Sequence, residues 1–438
     1  MAFTLESWLI IVTARRPTMI RIGRPSLMVV LLLLASATAF SENPPKADKR
    51  WVATWTAAPM NTQPSDPVVT GFNNQTIREI VRVSLGGQRF CIRLSNEFGS
   101  RPVPIESVHV ALSAANGAIQ ARTDRPVTFG GSQSLTLLPG APVLSDPIEL
   151  AVAPLEHVAV STYFRDWAPV QTYHLEAQQT AFLANSGKLV GAEKFDSRQT
   201  STSHYFLTGV FVESAEDART IVAFGDSITD GALSTVDLDR RYPDRLAERV
   251  LRIGGLNGGL NDVSVVNEGL GGNRLLSDGR GASGLARFDR DVLGLPHVSH
   301  VILLEGINDI GWPGTPLETD RAAPTIETLV SGYRQLIARS HAHGIKIIFA
   351  TILPFQGAFE GKPFRPYYSA EKDQLRRKVN EWIRNGREGD AVVDLDAVMR
   401  DPARPGYLKA EFDGGDGLHP NDAGYKAMAD AIDVMLLR

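Results

Sequence analysis

Five short apolar runs rich in β-branched residues, at 221–224, 263–266, 300–304, 345–351 and 391–395, alternate with helical periodicity over the second half of this 438-residue chain. That alternation constrains the fold more than any other feature. Each run is β-branched-rich and does not alternate with polar residues at every second position, as expected of a strand covered on both faces. Between them, Ile326, Leu329, Val330, Tyr333 and Ile337 fall at i, i+3, i+4, i+7 and i+11, and Gly344 supplies a stop. Tyr425, Met428, Ala429, Ile432 and Leu436 repeat the pattern and predict a last helix over 421–437. Alternating strand and helix over 218–438 predicts a doubly wound parallel sheet, whose ligands bind beyond the carboxyl ends of the strands.

The first half reads differently. Val81, Val83 and Leu85 alternate with Arg82 and Ser84, and Phe90, Ile92 and Leu94 alternate with Cys91 and Arg93, on either side of Gly86-Gly87. This predicts a hairpin with a primed turn. Val158, Val160, Thr162 and Phe164 carry the same period of two. With no convincing helix, residues 50–212 predict a β-sandwich or jelly-roll accessory domain. The polar stretch 213–217 is the predicted boundary, and a chain of this length suits two domains.

Residues 1–39 resemble a secretory leader. Arg15, Arg16, Arg21 and Arg24 precede an apolar run at 27–35, and Ala37-Thr38-Ala39 fits a small-residue cleavage pattern. Met19 would start a leader of more usual length. The run is too short to span a bilayer with ease, so no stable membrane anchor is expected. The leader looks bacterial, which predicts a periplasmic or extracellular protein. Net charge is −4 with no block of like charges, so nothing recruits nucleic acid. Cys91 is the single cysteine, which excludes an intrachain disulfide and a cysteine-based zinc site. It reads as a small buried residue in a strand.

The chemistry lies at and beyond the strand ends. The run 221–224 leads directly into Gly225-Asp226-Ser227-Ile228-Thr229. A serine there exposes its hydroxyl beside the positive end of a helix; taken alone it could equally be a helix N-cap. Serine needs a base to attack. Asp416-Gly417-Leu418-His419-Pro420 offers one, because a carboxylate three residues before an imidazole can meet Nδ1 while Nε2 faces the serine. The same stretch would also serve as a loop before the last helix. Donors for a developing oxyanion have candidates in Gly272, after the run 263–266, and in the amide of Asn308, in Gly306-Ile307-Asn308-Asp309. Glycine-rich turns and Asn-Asp dipeptides are common, so the weight rests on four such motifs in one order.

Together these four blocks resemble the SGNH/GDSL hydrolases over residues ~218–438, each block being weak alone and the combination specific. The resemblance implies a flavodoxin-like sheet and a serine esterase with Ser227 as nucleophile, His419 as general base then acid, and Asp416 as its orienter. It implies an oxyanion hole from the Ser227 amide, the Gly272 amide and the Asn308 side chain, with no metal or organic cofactor. Ile228 stands where the family name has leucine. Arg240-Arg241-Tyr242-Pro243-Asp244, Gly272-Asn273-Arg274-Leu275-Leu276 and Ala286-Arg287-Phe288-Asp289-Arg290-Asp291 are similar to a bacterial subgroup of arylesterases and acylhydrolases associated with xylan degradation. The preceding β domain, with 51–59 and Phe72-Asn73-Asn74-Gln75-Thr76, looks like the one often fused to that subgroup. A small-molecule or polysaccharide ester is the implied substrate, acetylated xylan by association. A lipase or lysophospholipase, acyl transfer to a sugar, and a non-catalytic carbohydrate-binding protein stay open at this stage, and oligomeric state is not legible.

Other signals point to ordinary roles. His341 and His343 lie two apart on a helix and so point apart, as at a solvated helix end rather than a metal site. Trp51, Trp55 and Trp167 read first as β-domain core and second as a sugar platform. The glycines of 254–259 lack the lysine of a phosphate loop and the strand before it. Trp312, between Asn308 and the helix at 324, could close an acyl pocket or simply pack. No long amphipathic insertion between the blocks suggests a lipase lid, which favours short acyl chains.

Overall fold

The computed structural model describes residues 49–63, 66, 69–197, 199–254 and 260–438, within a compact unit spanning 47–438. The leader read over 1–39, and most of the glycine-rich loop at 254–259, lie outside the described residues. The five runs of the second half form one all-parallel sheet. Its spatial order is Val263–Gly269, Arg219–Gly225, Val298–Leu304, Lys346–Ala350 and Ala391–Val393. In chain order this is 2-1-3-4-5, the flavodoxin-like order with its switch point between Arg219–Gly225 and Val298–Leu304. Ile221, Val222, Ala223 and Phe224 are fully buried, which explains why that run does not alternate.

Eight helices surround the sheet among the described residues: α1 (Ser227–Asp230), α2 (Tyr242–Gly254), α3 (Gly284–Phe288), α4 (Ile307–Gly311), α5 (Ile326–Ala342), α6 (Ala370–Gly386), α7 (Leu395–Met399) and α8 (Asp422–Ala431). In α5 the predicted stripe is the buried one, with Leu329, Val330, Tyr333 and Ile337 inward. Truncating a fully buried member such as Leu329 to alanine would cost about 2–5 kcal/mol. Two boundaries differ from the periodicity. The fifth strand stops at Val393 because the Asp394 side chain turns to accept the Ala397 N–H and caps α7. The last helix ends at Ala431; Ile432 is extended, and Asp433 starts a separate 3₁₀ turn, Val434–Leu437, by accepting the Met435 N–H. The apolar spacing runs on because both pieces face one core.

Among the described residues the first half holds two large antiparallel sheets and three small ones of two or three strands. Of the large two, one runs Arg50–Thr56, Leu207–Ser214, Gly87–Ser95, with Pro142–Leu144 and Ile148–Val152 both pairing with the last. The other runs Gln199–Ser201, Ala181–Leu183, Gln75–Arg82, His157–Phe164, Ser107–Leu112, Arg125–Val127. Phe90, Ile92 and Leu94 of the first share a core with Ile77, Val81, Val108, Val158 and Val160 of the second. The predicted hairpin at Gly86-Gly87 is therefore not formed. The alternation over 81–85 straddles the end of Gln75–Arg82, a strand buried on both faces from Thr76 to Val81, and Gly87–Ser95 belongs to the other sheet. Residues 83–85 cross between the sheets, with Ser84 N–H bound to the Thr54 carbonyl at 2.8 Å and Leu85 N–H to Thr54 Oγ1 at 2.8 Å. Neither glycine has the positive φ that a primed turn requires.

The two halves meet along an open sheet edge. Val263–Gly269 is an outer strand of the parallel sheet, and an unpaired edge invites foreign strands. Here Ser84 Oγ accepts the Val265 N–H at 2.8 Å, and Thr56 Oγ1 donates to the Asn267 carbonyl at 3.1 Å. Ala53, Cys91 and Phe211 join the core that contains 221–224. Cys91 lies buried in Gly87–Ser95, and burial pushes its thiol up to about 12. Trp55 is core, whereas Trp167 stands exposed. No helix among the described residues is long and apolar enough to cross a membrane.

Candidate active site

Strand Arg219–Gly225 delivers Ser227 to the switch-point edge as the first residue of α1. The N-cap is Asp226, whose Oδ1 accepts the Ile228 N–H at 2.9 Å. With the cap supplied by its neighbour, the serine hydroxyl is free for other work. Its Oγ lies 2.8 Å from His419 Nε2. Ser227 is also at a helix start, where the backbone N–H has no intrahelical carbonyl to bind.

His419 arrives from far along the chain, on the loop between α7 and α8 rather than at a strand end. Gly414 N–H donates to the His419 carbonyl at 2.8 Å, and Phe359 N–H to the Asp416 carbonyl at 2.7 Å, pinning the loop from both sides. Tyr425 in α8 donates to the Ala232 carbonyl at 2.7 Å, docking that helix on the chain just past α1. Asp416 Oδ2 lies 2.7 Å from His419 Nδ1, while Oδ1 accepts the Leu418 and His419 N–H groups at 2.9 and 2.8 Å. The three residues are thus in a hydrogen-bonded line, carboxylate to imidazole to hydroxyl.

The electrostatics suit proton transfer at that line. Burial works against a charged imidazole, but the hydrogen bond and charge of Asp416, with Glu176 and Asp226, outweigh it and raise the His419 pKa above its ordinary value. Burial likewise opposes ionisation of Asp416, yet the His419 bond, its charge and the two backbone donors hold that carboxyl below the usual range. Asp226 goes the other way: burial pushes it up to about 7 against the Ile228 N–H and the His419 charge.

The two remaining candidates sit on adjoining turns. Gly272 has φ +73°, a conformation that favours glycine, and no hydrogen bond is made by its N–H among the described residues. Asn308 lies in α4, just past Val298–Leu304 and across the switch point from Ser227. One N–H of its amide goes to the Asn273 carbonyl at 2.9 Å, and its oxygen accepts from Tyr367 Oη at 2.8 Å. Those two bonds fix which way the amide faces and leave its other N–H for a ligand. The Asp309 carboxylate holds the Leu275 and Leu276 N–H groups at 2.7 and 2.9 Å, clamping the glycine turn to α4. An amide in that position that served as an oxyanion donor would act on transition-state charge, so Asn308→Ala is expected to lower kcat by ~10²–10³ with KM nearly unchanged. Tyr367→Phe, which only frees the amide, is expected to cost about 10-fold, one hydrogen bond's worth. Steady-state kinetics on p-nitrophenyl acetate checks both; a raised KM at constant kcat in Asn308→Ala would make Asn308 a binding residue instead.

Two residues of the site have no sequence signal that singles them out, and a third, Arg287, lies in the 286–291 block without a role assigned to it there. Tyr367 and Phe359 come from the loop 351–369, whose aromatics look like any others in the sequence. Phe359 stacks near His419, ring centroids 6.1 Å apart, and packs on Trp312, Phe364 and Tyr367. Trp312 is thus part of an aromatic cluster that fills the space beside Asn308. Arg287 is fully buried and donates to the Gly225 and Glu268 carbonyls at 2.7 and 2.8 Å and to Asn273 Oδ1 at 2.8 Å, tying two strand ends to the oxyanion turn. Its charge is met by Asp291 at 2.9 Å. His341 and His343 point apart, to Asp390 and to the Arg339 carbonyl. No group of three or more His, Cys, Asp or Glu side chains among the described residues is arranged to hold a metal ion.

Residues 223–427 match the GDSL-like Lipase/Acylhydrolase family. No curated protein matches the sequence. Similar solved structures include the acetyl xylan esterase AlAXEase, at 21% identity over 48% of this chain and 96% of that one, TM-score 0.37. The inhibitor-bound aryl esterase of M. smegmatis matches at 18% identity over 49% of this chain and 96% of that one, TM-score 0.38. A GDSL-like lipase of Bacteroides thetaiotaomicron VPI-5482 matches at 18% identity over 51% and 90%, TM-score 0.35.

Proposed function

We propose that this chain, whose residues 223–427 match the GDSL-like Lipase/Acylhydrolase family, is a secreted serine esterase acting on short acyl esters, acetyl above all, of a plant polysaccharide such as xylan. The observation that carries the reading is the line Asp416–His419–Ser227, closed by contacts of 2.7 and 2.8 Å.

The reaction runs in two halves. Ser227 Oγ attacks the ester carbonyl as its proton passes to His419 Nε2, and the tetrahedral oxyanion takes donors from the Ser227 N–H, the Gly272 N–H and Asn308 Nδ2. Collapse breaks the bond to the alcohol, which leaves with the proton from His419 Nε2, and Ser227 keeps the acyl group. Water then repeats the sequence with His419 again as base, releasing the acid and restoring the serine hydroxyl. Asp416 keeps Nδ1 protonated throughout and stabilises the imidazolium. No step calls for a metal or organic cofactor.

Short acyl chains are supported by the aromatic cluster. Trp312 and Phe359 lie at centroid distances of 5.1 and 5.1 Å from Tyr367, itself bonded to Asn308, so the room beside the oxyanion amide is taken by rings. A series of p-nitrophenyl esters is expected to show kcat/KM falling gradually from acetyl to decanoyl, since each methylene is worth only about 1–3 kcal/mol. One observation favours a second reading. Leu233, Val236 and Leu238, on the chain just past α1, are exposed, and apolar side chains beside such a cleft suit a lipase. A kcat/KM that climbs with chain length would establish that reading and sink the first. The leader over 1–39 suits a periplasmic or extracellular esterase. The antiparallel half we take as a β-sandwich accessory domain, fused to the hydrolase along the edge strand.

A further inference from the structure

Between Thr172–His174 and Ala181–Leu183 the antiparallel half sends a loop onto the hydrolytic cleft. The residues around Glu176 in that loop are anchored. His174 Nδ1 lies 2.9 Å from the Ala58 carbonyl, and Nε2 lies 3.0 Å from Asp230 Oδ1 in α1. The other Asp230 oxygen accepts the Gly271 N–H at 3.1 Å. Ala177 N–H donates to the Thr202 carbonyl at 2.8 Å, and Asp237 N–H to the Gln178 carbonyl at 3.0 Å. Yet Glu176 Oε2 is sealed from solvent with no hydrogen-bond partner among the described residues.

Its surroundings say where it points. A Cβ placed on Gly271 would lie 3.0 Å from Glu176 Oε2 and 3.2 Å from its Cδ, so the carboxylate rests against the backbone one residue before Gly272. Its charge acts on His419, and that of His419 on it. Arg280, the cation beside it, is held by Asp66, with Nη1 2.7 Å from Oδ1. Burial raises the Glu176 pKa, as does Asp230, against His419, His174 and Arg280. A buried acceptor left unpaired costs free energy until a donor arrives, and a functional role is one of the reasons native structures keep such a group.

The leaving alcohol takes its proton from His419, so the alcohol part of the substrate lies on the histidine side of the scissile bond, and Glu176 lies near enough to His419 for their charges to act on each other. We propose that Glu176 is a specificity-determining residue that accepts a hydrogen bond from a free hydroxyl on the alcohol part of the ester. Esters of polyols, sugars included, are then preferred over esters of simple alcohols. This rests on the acyl-serine reading of the site. It also assigns the antiparallel half a direct part in substrate choice.

The test compares glycerol monoacetate, which carries free hydroxyls on its alcohol, with propyl acetate, which carries none. Any effect of Glu176 on the basicity of His419 falls on both and cancels in the ratio of their kcat/KM values. The wild-type ratio is expected to favour the glycerol ester. Glu176→Gln and Glu176→Ala are expected to lower that ratio by ~10–100-fold, the range for a hydrogen bond to a charged group. Fluorophosphonate labelling of Ser227 in each variant reports that the hydrolytic machinery is intact. A ratio unchanged in variants that still label overturns the proposal and leaves the acyl-serine reading standing. A wild-type protein that neither labels nor hydrolyses either ester overturns both.

Discussion

Ser227→Ala is expected to reduce kcat/KM for p-nitrophenyl acetate by ~10⁴-fold or more while leaving thermal unfolding essentially unchanged. Among the described residues the serine carries the one oxygen within hydrogen-bond distance of His419 Nε2, at 2.8 Å, so its loss removes the covalent route. The fold has little reason to notice. The α1 cap is made by Asp226 and not by the serine, and the contact to His419 is the one side-chain hydrogen bond that Ser227 makes among the described residues. Residual activity should come from the oxyanion donors alone. Labelling by a fluorophosphonate should vanish with the hydroxyl; a variant that still labels would put the nucleophile elsewhere.

The second large effect is expected at Asp416→Asn, a loss of ~10⁴-fold in kcat with a shifted pH profile. An asparagine keeps the shape but offers no charge to the imidazole, and its amide can present a donor where Nδ1 needs an acceptor. The sign on pH follows from the folded-state values. His419 must be neutral to accept the serine proton, and the carboxylate raises its pKa above the ordinary imidazole value, against burial. The wild-type acidic limb therefore lies above that ordinary value, and activity is lost as pH falls through it. Without Asp416, burial prevails and the limb moves to lower pH. A pH–kcat/KM profile whose acidic limb stays in place in Asp416→Asn would mean that the inflection belongs to another group, with Asp226, raised to about 7, the first to examine.

Much of this was legible in the residues themselves. Continuous β-branched runs at 221–224 and 300–304 announce strands buried on both faces, since a sheet open on one side would show alternation. Gly225-Asp226-Ser227 directly after such a run marks a strand-to-helix turn at the ligand edge, and Asp416 three residues before His419 is close enough to orient it. These are local relations, set by spacing along one stretch of chain. Alternation in 81–85 and 90–95 was legible too, but not its meaning: a period of two is silent on which strand lies alongside. Hence the two runs that look like a hairpin belong to different sheets.

What tertiary structure decided is whatever depends on chain segments that are far apart in sequence. Whether Ser227 is a cap or a free hydroxyl was settled by Asp226 taking the cap while a loop 192 residues downstream brought His419 to the serine. The direction of the Asn308 amide was decided by Tyr367, 59 residues on, and the glycine turn was fixed by Asp309 and the buried Arg287. Glu176 is the extreme case. Nothing in its neighbours along the chain marks it, and it gains meaning only because the antiparallel half covers the open edge of the parallel sheet and carries an unpaired carboxylate to the cleft. Sequence determines which residues are able to do chemistry, through side-chain type and local backbone; packing decides which of them meet, because long-range contact is set by the burial of faces and not by any residue alone.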